Sequence, residues 1–229
     1  MSLADRPATS KRQTIADEVF EYLRNEIISL NIEPGTHLSE AEVAKKFEVS
    51  RQPVREAFLR LGDLDLLLIR PQKATLVKKI SLAEIAHTRF IRAAVEVEIV
   101  RVASQVASTQ SIEALRESLR LQANARNDGD PVQLRLLDYD FHRLICEAAK
   151  QPNAFTVVSE FKAHTDRICR IELDDAEGMA ETVDGHTRIV EAIAGKDATA
   201  AAESACNHLA HLDKTLQSAQ DKFPQYFEL

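Results

Sequence analysis

Apolar residues recur at three- and four-residue steps through most of this chain, the spacing of helices that bury one face. From Thr14 to Ser29 the series Ile15, Val19, Leu23 and Ile27 predicts an amphipathic helix, and Pro34-Gly35 breaks the chain after it. A short helix over Glu40 to Phe47 follows, opened by Ser39 and turning Val43, Ala44 and Phe47 inward. Ser50 then caps a third helix from Arg51 to about Leu61; Pro53 is compatible with its first turn, and Val54, Phe58 and Leu61 form its buried face. There the period changes. Leu66-Leu67-Leu68-Ile69 and Thr75-Leu76-Val77 read as two short strands around Arg70-Pro71-Gln72-Lys73-Ala74, a hairpin carrying two cations.

The helical period returns at Ser81, a predicted N-cap with Glu84 three residues on. Helices are expected near 82–107, 110–127, 131–150, 154–174, 179–194 and 197–221, with the clearest breaks at Asp128-Gly129-Asp130-Pro131, Gln151-Pro152-Asn153 and Gly195-Lys196-Asp197. The expected fold class is therefore mainly α: an N-terminal winged helix-turn-helix over 14–79 and a C-terminal bundle of about six helices over 82–221. Residues 1–13 read as a flexible N-terminus.

Composition narrows the class. Hydrophobic residues make up 45% and charged residues 28%, with 6 Gly and 7 Pro, a balance suited to a helical globular protein. No apolar run reaches the roughly 20 residues of a membrane-spanning helix, and the N-terminus lacks a signal-peptide core. Cys146, Cys169 and Cys206 are odd in number and set among apolar residues, so buried thiols in a reducing, cytoplasmic setting are expected. The net charge of -7 is unevenly spread: residues 1–80 hold 13 Lys+Arg against 12 Asp+Glu, and residues 81–229 hold 16 against 24. A near-neutral head with local basic clusters can meet a polyanion that the acidic body repels.

In the head, Arg51 and Arg55 lie four apart on the outer face of the third helix, where a helix-turn-helix presents its second helix to the major groove. The stretch Ile32-Glu33-Pro34-Gly35-Thr36-His37-Leu38-Ser39-Glu40, then Val49-Ser50-Arg51-Gln52-Pro53-Val54-Arg55-Glu56-Ala57, resembles the DNA-binding domain of the GntR family of bacterial transcription regulators. That resemblance implies contacts to operator DNA from Ser39, Ser50, Arg51, Gln52 and Arg55, with Gln72 and Lys73 at the wing tip. Arg suits the task because its fork pairs bidentately with guanine or phosphate. The family usually places Gly where this chain has Asp65 and Ala74.

In the body the informative residues are polar ones on apolar faces. Arg92 sits within the stripe Ile85, Thr88, Val95, Ile99, Val102, Ala103 and Val106, with Glu96 beside it. An i,i+4 pair with Glu96 satisfies it, and so does the carboxylate of a small ligand. Asp138 and His142 are four apart on the flank of Leu134, Leu137, Phe141 and Ile145. His186 falls among Val183, Ile189, Val190 and Ile193, and His164 faces the apolar side of its helix. His208 lies closer than His211 to the stripe of Ala201, Ala205 and Leu209. One carboxylate and three imidazoles converging in a bundle form a mixed N/O donor set. Arg92 with Glu96, Asp138-Tyr139-Asp140-Phe141-His142, His186, and Asp197 with His208 resemble the FCD effector-binding domain of the FadR subfamily of GntR regulators. The resemblance implies a divalent metal, zinc or nickel, on Asp138, His142, His186 and His208, and an effector meeting Arg92, Glu96 and His164.

The expected function is a metabolite-responsive regulator that binds a palindromic operator as a homodimer and senses a small carboxylate beside the metal; no enzyme activity is expected. Two other readings follow from the same residues: a metallohydrolase carrying a targeting head, and a regulator whose metal is purely structural. The first lacks a nucleophile–His arrangement, a Gly-rich phosphate loop and a poised general base.

Overall fold

The computed structural model describes residues 14–70, 74–172 and 176–228. The expected flexible N-terminus and the wing-tip residues Gln72 and Lys73 lie outside them. The chain packs as two units, Met1–Lys78 and Lys79–Leu229.

The first unit contains α1 (Ile15–Ile28), β1 (His37–Leu38), α2 (Glu40–Lys46), α3 (Arg51–Asp63), β2 (Leu67–Leu68) and β3 (Thr75–Val77). α1 starts at a capping box: the Thr14 hydroxyl accepts from the Asp17 amide, and the Asp17 carboxylate accepts from the Thr14 amide. Val19, Leu23 and Ile27 of α1 meet Val54, Ala57, Phe58 and Leu61 of α3 in a core closed by Leu66 and Val77. Ser39 and Ser50 stand at the N-cap positions of α2 and α3, yet neither side chain makes a capping hydrogen bond. β3 spans the expected Thr75–Val77, whereas β2 is shorter than the run Leu66 to Ile69 suggested, since Ile69 is exposed. They join an unanticipated β1 in an antiparallel sheet of order β1-β3-β2, with His37 opposite Leu76 and Leu67 opposite Val77. Two residues of β1 carry too little apolar signal to be read as a strand; pairing with β3 supplies the rest. Asp65 adopts φ 57°, a left-handed turn that Asp tolerates better than most residues, and its carboxylate holds Lys78 at 2.6 Å.

The second unit is helical: α4 (Leu82–Val106), α5 (Thr109–Asn127), α6 (Pro131–Ala148), α7 (Ala154–Glu172), α8 (Ala176–Ala194), α9 (Ala198–Ala210) and α10 (Leu212–Lys222), then a 3₁₀ turn over Pro224–Tyr226. Ser81 caps α4, Asp130 caps α6 with Pro131 in the first turn, and Asp197 caps α9 by accepting from two amides. The single helix expected over 197–221 divides at His211 into α9 and α10. Val106, expected in the buried stripe of α4, is exposed at the helix end. Of the cysteines, Cys146 is buried and Cys169 intermediate, but Cys206 is exposed, on the outer side of α9. α4 packs against α6, α7, α8 and α9, while α5 packs on α6 and α8. Ile99, Val100, Phe141, Ile145, Ile189 and Ile193 form the core of this unit. The polar residues of α4, α6, α8 and α9 meet along one side of it.

Candidate metal centre and its cavity

Helical phase brings four donors together. Asp138 and His142 project from successive turns of α6, His186 from the middle of α8, and His208 from the last turn of α9. One ligand atom from each can be chosen so that all lie within 4.8 Å of one another. Asp138 Oδ1 is 3.3 Å from His186 Nε2 and 3.7 Å from His142 Nε2. The rings of His186 and His208 have centroids 4.6 Å apart, and Phe141 stacks on His186 at 3.9 Å. Gly185 makes room for this packing, because a Cβ there would stand 2.8 Å from His208 Nδ1.

The groups behind the donors orient them. His142 Nδ1 lies 2.8 Å from Glu96 Oε2, and His186 Nδ1 lies 2.7 Å from Gln122 Oε1. If each Nδ1 donates, each Nε2 is left as an acceptor turned toward Asp138, the pattern of a metal-ligating His backed by a carboxylate or carbonyl oxygen. His186 Nε2 is buried with no hydrogen-bond partner among the described residues. An orphaned acceptor facing a carboxylate and two more imidazoles fits a divalent cation, and the N/O donor set suits zinc or nickel. Gln122 was not singled out from sequence. Its only signal is a polar residue one turn past Ser118 and two turns past Leu115 on the buried face of α5.

Electrostatics divide the three imidazoles. Burial disfavours charge on His142, but Glu96 and Asp138 outweigh it and raise its pKa to about 9. Burial, with the neighbouring His142, lowers His208 to about 3; burial and His208 hold His186 well below the ordinary value. Burial would raise the Asp138 carboxyl, yet Lys162, with Nζ 2.6 Å from Oδ2, keeps it well below the usual range. A cation held here would therefore find Asp138 ionised and two imidazoles neutral, and would displace a proton from His142. Burial pushes the Cys146 and Cys169 thiols up to about 12, so neither supplies a thiolate near neutrality.

A cavity of about 170 Å³ opens beside the cluster, its wall including Arg92, Arg135, Asp138, His142, Lys162, Asp166, Arg188 and His208. Arg92 lines it, but the guanidinium is already engaged: Nε donates to Glu96 Oε1 at 2.6 Å and Nη1 to Thr165 Oγ1 at 2.9 Å. The i,i+4 pairing is thus what the structure contains. Glu96 faces Arg92 and His142 and does not border this cavity, and the half-buried His164 is likewise absent from its wall. Lys162 bridges Asp138 and Asp166, and neither Lys162 nor Asp166 was picked out from sequence. Their i,i+4 spacing reads there as a solvated pair. Removing one partner of a buried pair costs about 3–5 kcal/mol, so Arg92 and Lys162 support the fold as well as the cavity.

In the first unit, Arg51, Gln52 and Arg55 are exposed on α3, with Ser50 exposed at its start and Ser39 partly exposed before α2. Glu40 of α2 takes the Arg55 fork through two contacts of 3.3 Å.

Comparison with known proteins agrees for both units. The model of the bacterial regulatory proteins, gntR family, matches residues 15–77, and that of the FCD domain matches residues 88–211. The HTH-type transcriptional repressor RspR of Escherichia coli is 31% identical over 215 residues, covering 94% of each chain. A probable D-xylose utilization operon transcriptional repressor of Paenarthrobacter nicotinovorans is 26% identical, over 89% of this chain and 90% of that one. Among solved structures, E. coli McbR/YncC superposes with a TM-score of 0.74 at 20% identity, covering 93% of this chain and 99% of that one, a likeness of fold. A recognition helix with an exposed Arg face, a three-stranded wing sheet, a helical body and these matches lead to one conclusion: the chain belongs to the gntR family of bacterial transcription regulators and carries an FCD effector-binding domain.

Proposed function

We propose that this regulator binds a palindromic operator as a homodimer in the cytoplasm, and that its DNA affinity answers to a small carboxylate held beside a divalent ion on Asp138, His142, His186 and His208. The observation that carries the sensing half is the orphaned His186 Nε2 beside Asp138 at the edge of a 170 Å³ cavity. When bound, zinc or nickel would supply a Lewis-acidic position for a carboxylate oxygen. The protein's own residues do the rest. Glu96 and Gln122 hold two imidazoles in orientation, and Lys162 fixes Asp138.

The DNA-binding half rests on Arg51, Gln52 and Arg55, displayed by a helix whose opposite face is locked into the core through Val54, Phe58 and Leu61. Ser39 and Ser50, whose side chains make no capping bond, would meet phosphate, and Gln72 and Lys73 would add wing contacts. The homodimer is supported by the outward face of α4. Ala83, Phe90, Ala94 and Arg101 are exposed at seven- and four-residue steps, and Phe90 is 70% exposed. Such a stripe would suit an antiparallel pairing of this helix with that of a second copy. Coupling is reciprocal: an acid that weakens operator binding must bind less tightly to the DNA complex.

Selection from randomised duplex DNA tests this reading. A recovered palindrome is expected, with Arg51→Ala and Arg55→Ala each costing about 1–3 kcal/mol of sequence discrimination. Enrichment of no sequence over random DNA, with or without zinc and candidate acids, would overturn it.

A further inference from the structure

The face of the first unit that displays the exposed arginines also holds a carboxylate. Ser39, Glu40, Arg51 and Arg55 line one groove there. Arg51 opens α3 and Arg55 follows one turn later, while Glu40 opens α2 and reaches across to Arg55. A negative charge on a surface that meets a polyanion opposes binding, because every phosphate nearby repels it. Support of the fold does not account for it. The two side chains are 62% and 28% exposed, and the contacts of 3.3 Å are longer than the roughly 2.8 Å of a strong charge-assisted bond. Such a surface pair adds little to stability. α2 and α3 are held instead by Val43, Ala44, Val54, Ala57 and Phe58 in the core.

The atoms involved suggest another use. Arg55 Nε donates to Glu40 Oε1 and Nη2 donates to Oε2, so the carboxylate takes the guanidinium side-on. The bridge leaves over the end-on edge, one hydrogen each of Nη1 and Nη2. Those two parallel donors match O6 and N7 of guanine in the major groove. A guanidinium held from the side has fewer orientations to lose when it meets a base. Its charge is partly neutralised, which weakens its pull on phosphate. The directional match to a base edge is kept. The pair therefore favours reading a base over gripping the backbone.

We propose that Glu40 is a positioning residue for Arg55: it holds the guanidinium side-on so that the end-on edge reads a guanine, and its own charge weakens binding to DNA that lacks that guanine. This role rests on the DNA-binding reading of α3 and adds what aims Arg55.

Fluorescence anisotropy of the full chain tests it, on the palindrome recovered by selection, on its single-base-pair variants and on random duplex. Wild type, Glu40→Gln, Arg55→Ala and the double variant are compared, with helical content checked in each. Arg55→Ala is expected to abolish the preference at one G·C pair of each half-site. Glu40→Gln is expected to lower the preference at that same pair about tenfold, within the range one bidentate base contact discriminates, while tightening binding to random duplex and leaving other positions as they were. An Arg55→Ala variant that loses affinity equally on every sequence would make Arg55 a phosphate contact and overturn the role. So would a Glu40→Gln variant that keeps the full preference, or one whose losses spread over all positions. A residual preference in Arg55→Ala that Glu40→Gln then removes would make Glu40 a base contact in its own right, and the role fails there too. All of these outcomes leave sequence-selective binding standing; a wild type that enriches no sequence would overturn that reading and this one with it.

Discussion

At the scale of single residues, two side-chain environments make opposite demands on substitution. Asp17 is only partly exposed, and the Thr14 amide and hydroxyl, then Arg60, lower its carboxyl to about 2 from an ordinary 3.8. Because the folded value is the lower one, the stability it contributes is present above about pH 4 and is lost as pH falls through about 2. In an NMR titration the Asp17 carboxyl should show a midpoint near 2, moving toward 3.8 in Thr14→Ala; an unmoved midpoint would show that the Thr14 hydroxyl is not a cause. Gly185 is the second case. Ala in a helix interior is favoured over Gly by about 1 kcal/mol, which in Gly185→Ala offsets part of the cost of shifting the His208 ring. Its Cβ would displace the His208 ring, and zinc affinity should fall about tenfold or more, the scale on which groups that orient metal ligands act. Unchanged zinc affinity in a competition titration would mean that His208 moves aside freely. These residues also show what sequence discloses. Asp138, His142, His186 and His208 were legible because helical phase alone turns them inward. Gln122 and Thr165 were not, because their partners lie 64 and 73 positions away and only tertiary packing sets them opposite His186 and Arg92.

At the scale of elements, caps and breakers made the helices legible: Thr14, Ser81, Asp130 and Asp197 each place a side-chain acceptor at an N-terminus. The departures have local causes. β1 exists through its pairing with β3, and no Gly or Pro announces the division at His211, where φ -57° and ψ -30° remain helical. α4 presents a different puzzle, since apolar residues occur on every side of it. A helix that is apolar all round is a buried one, and Phe90 is left without cover within its own unit. Phe90→Glu should therefore convert a dimer into a monomer in sedimentation-equilibrium runs at micromolar concentration. Its thermal stability as a monomer should change little, as 70% of Phe90 is already exposed. Identical dimers from both proteins would place the interface elsewhere.

At the scale of the whole molecule, the uneven charge read from sequence acquires a use. A head with nearly balanced charge carries the exposed Arg face of the DNA-binding unit, while the excess of acidic residues lies in the body. The helix-turn-helix and the bundle were readable because each is a local pattern repeated along the chain. The commitment of Arg92 to Glu96 was one of two readings of the i,i+4 spacing, and tertiary structure decides for the pair over a ligand. The proposed sensing through the body requires a metal held by four donors from three helices. Metal analysis by mass spectrometry, on protein purified without chelator, tests that dependence most directly against a His186→Ala/His208→Ala variant of unchanged helical content. The account predicts about one zinc or nickel ion per wild-type chain and none in the variant. Wild-type protein without a divalent ion, or a variant that keeps it, would contradict the metal centre and leave those residues a hydrogen-bonded polar core.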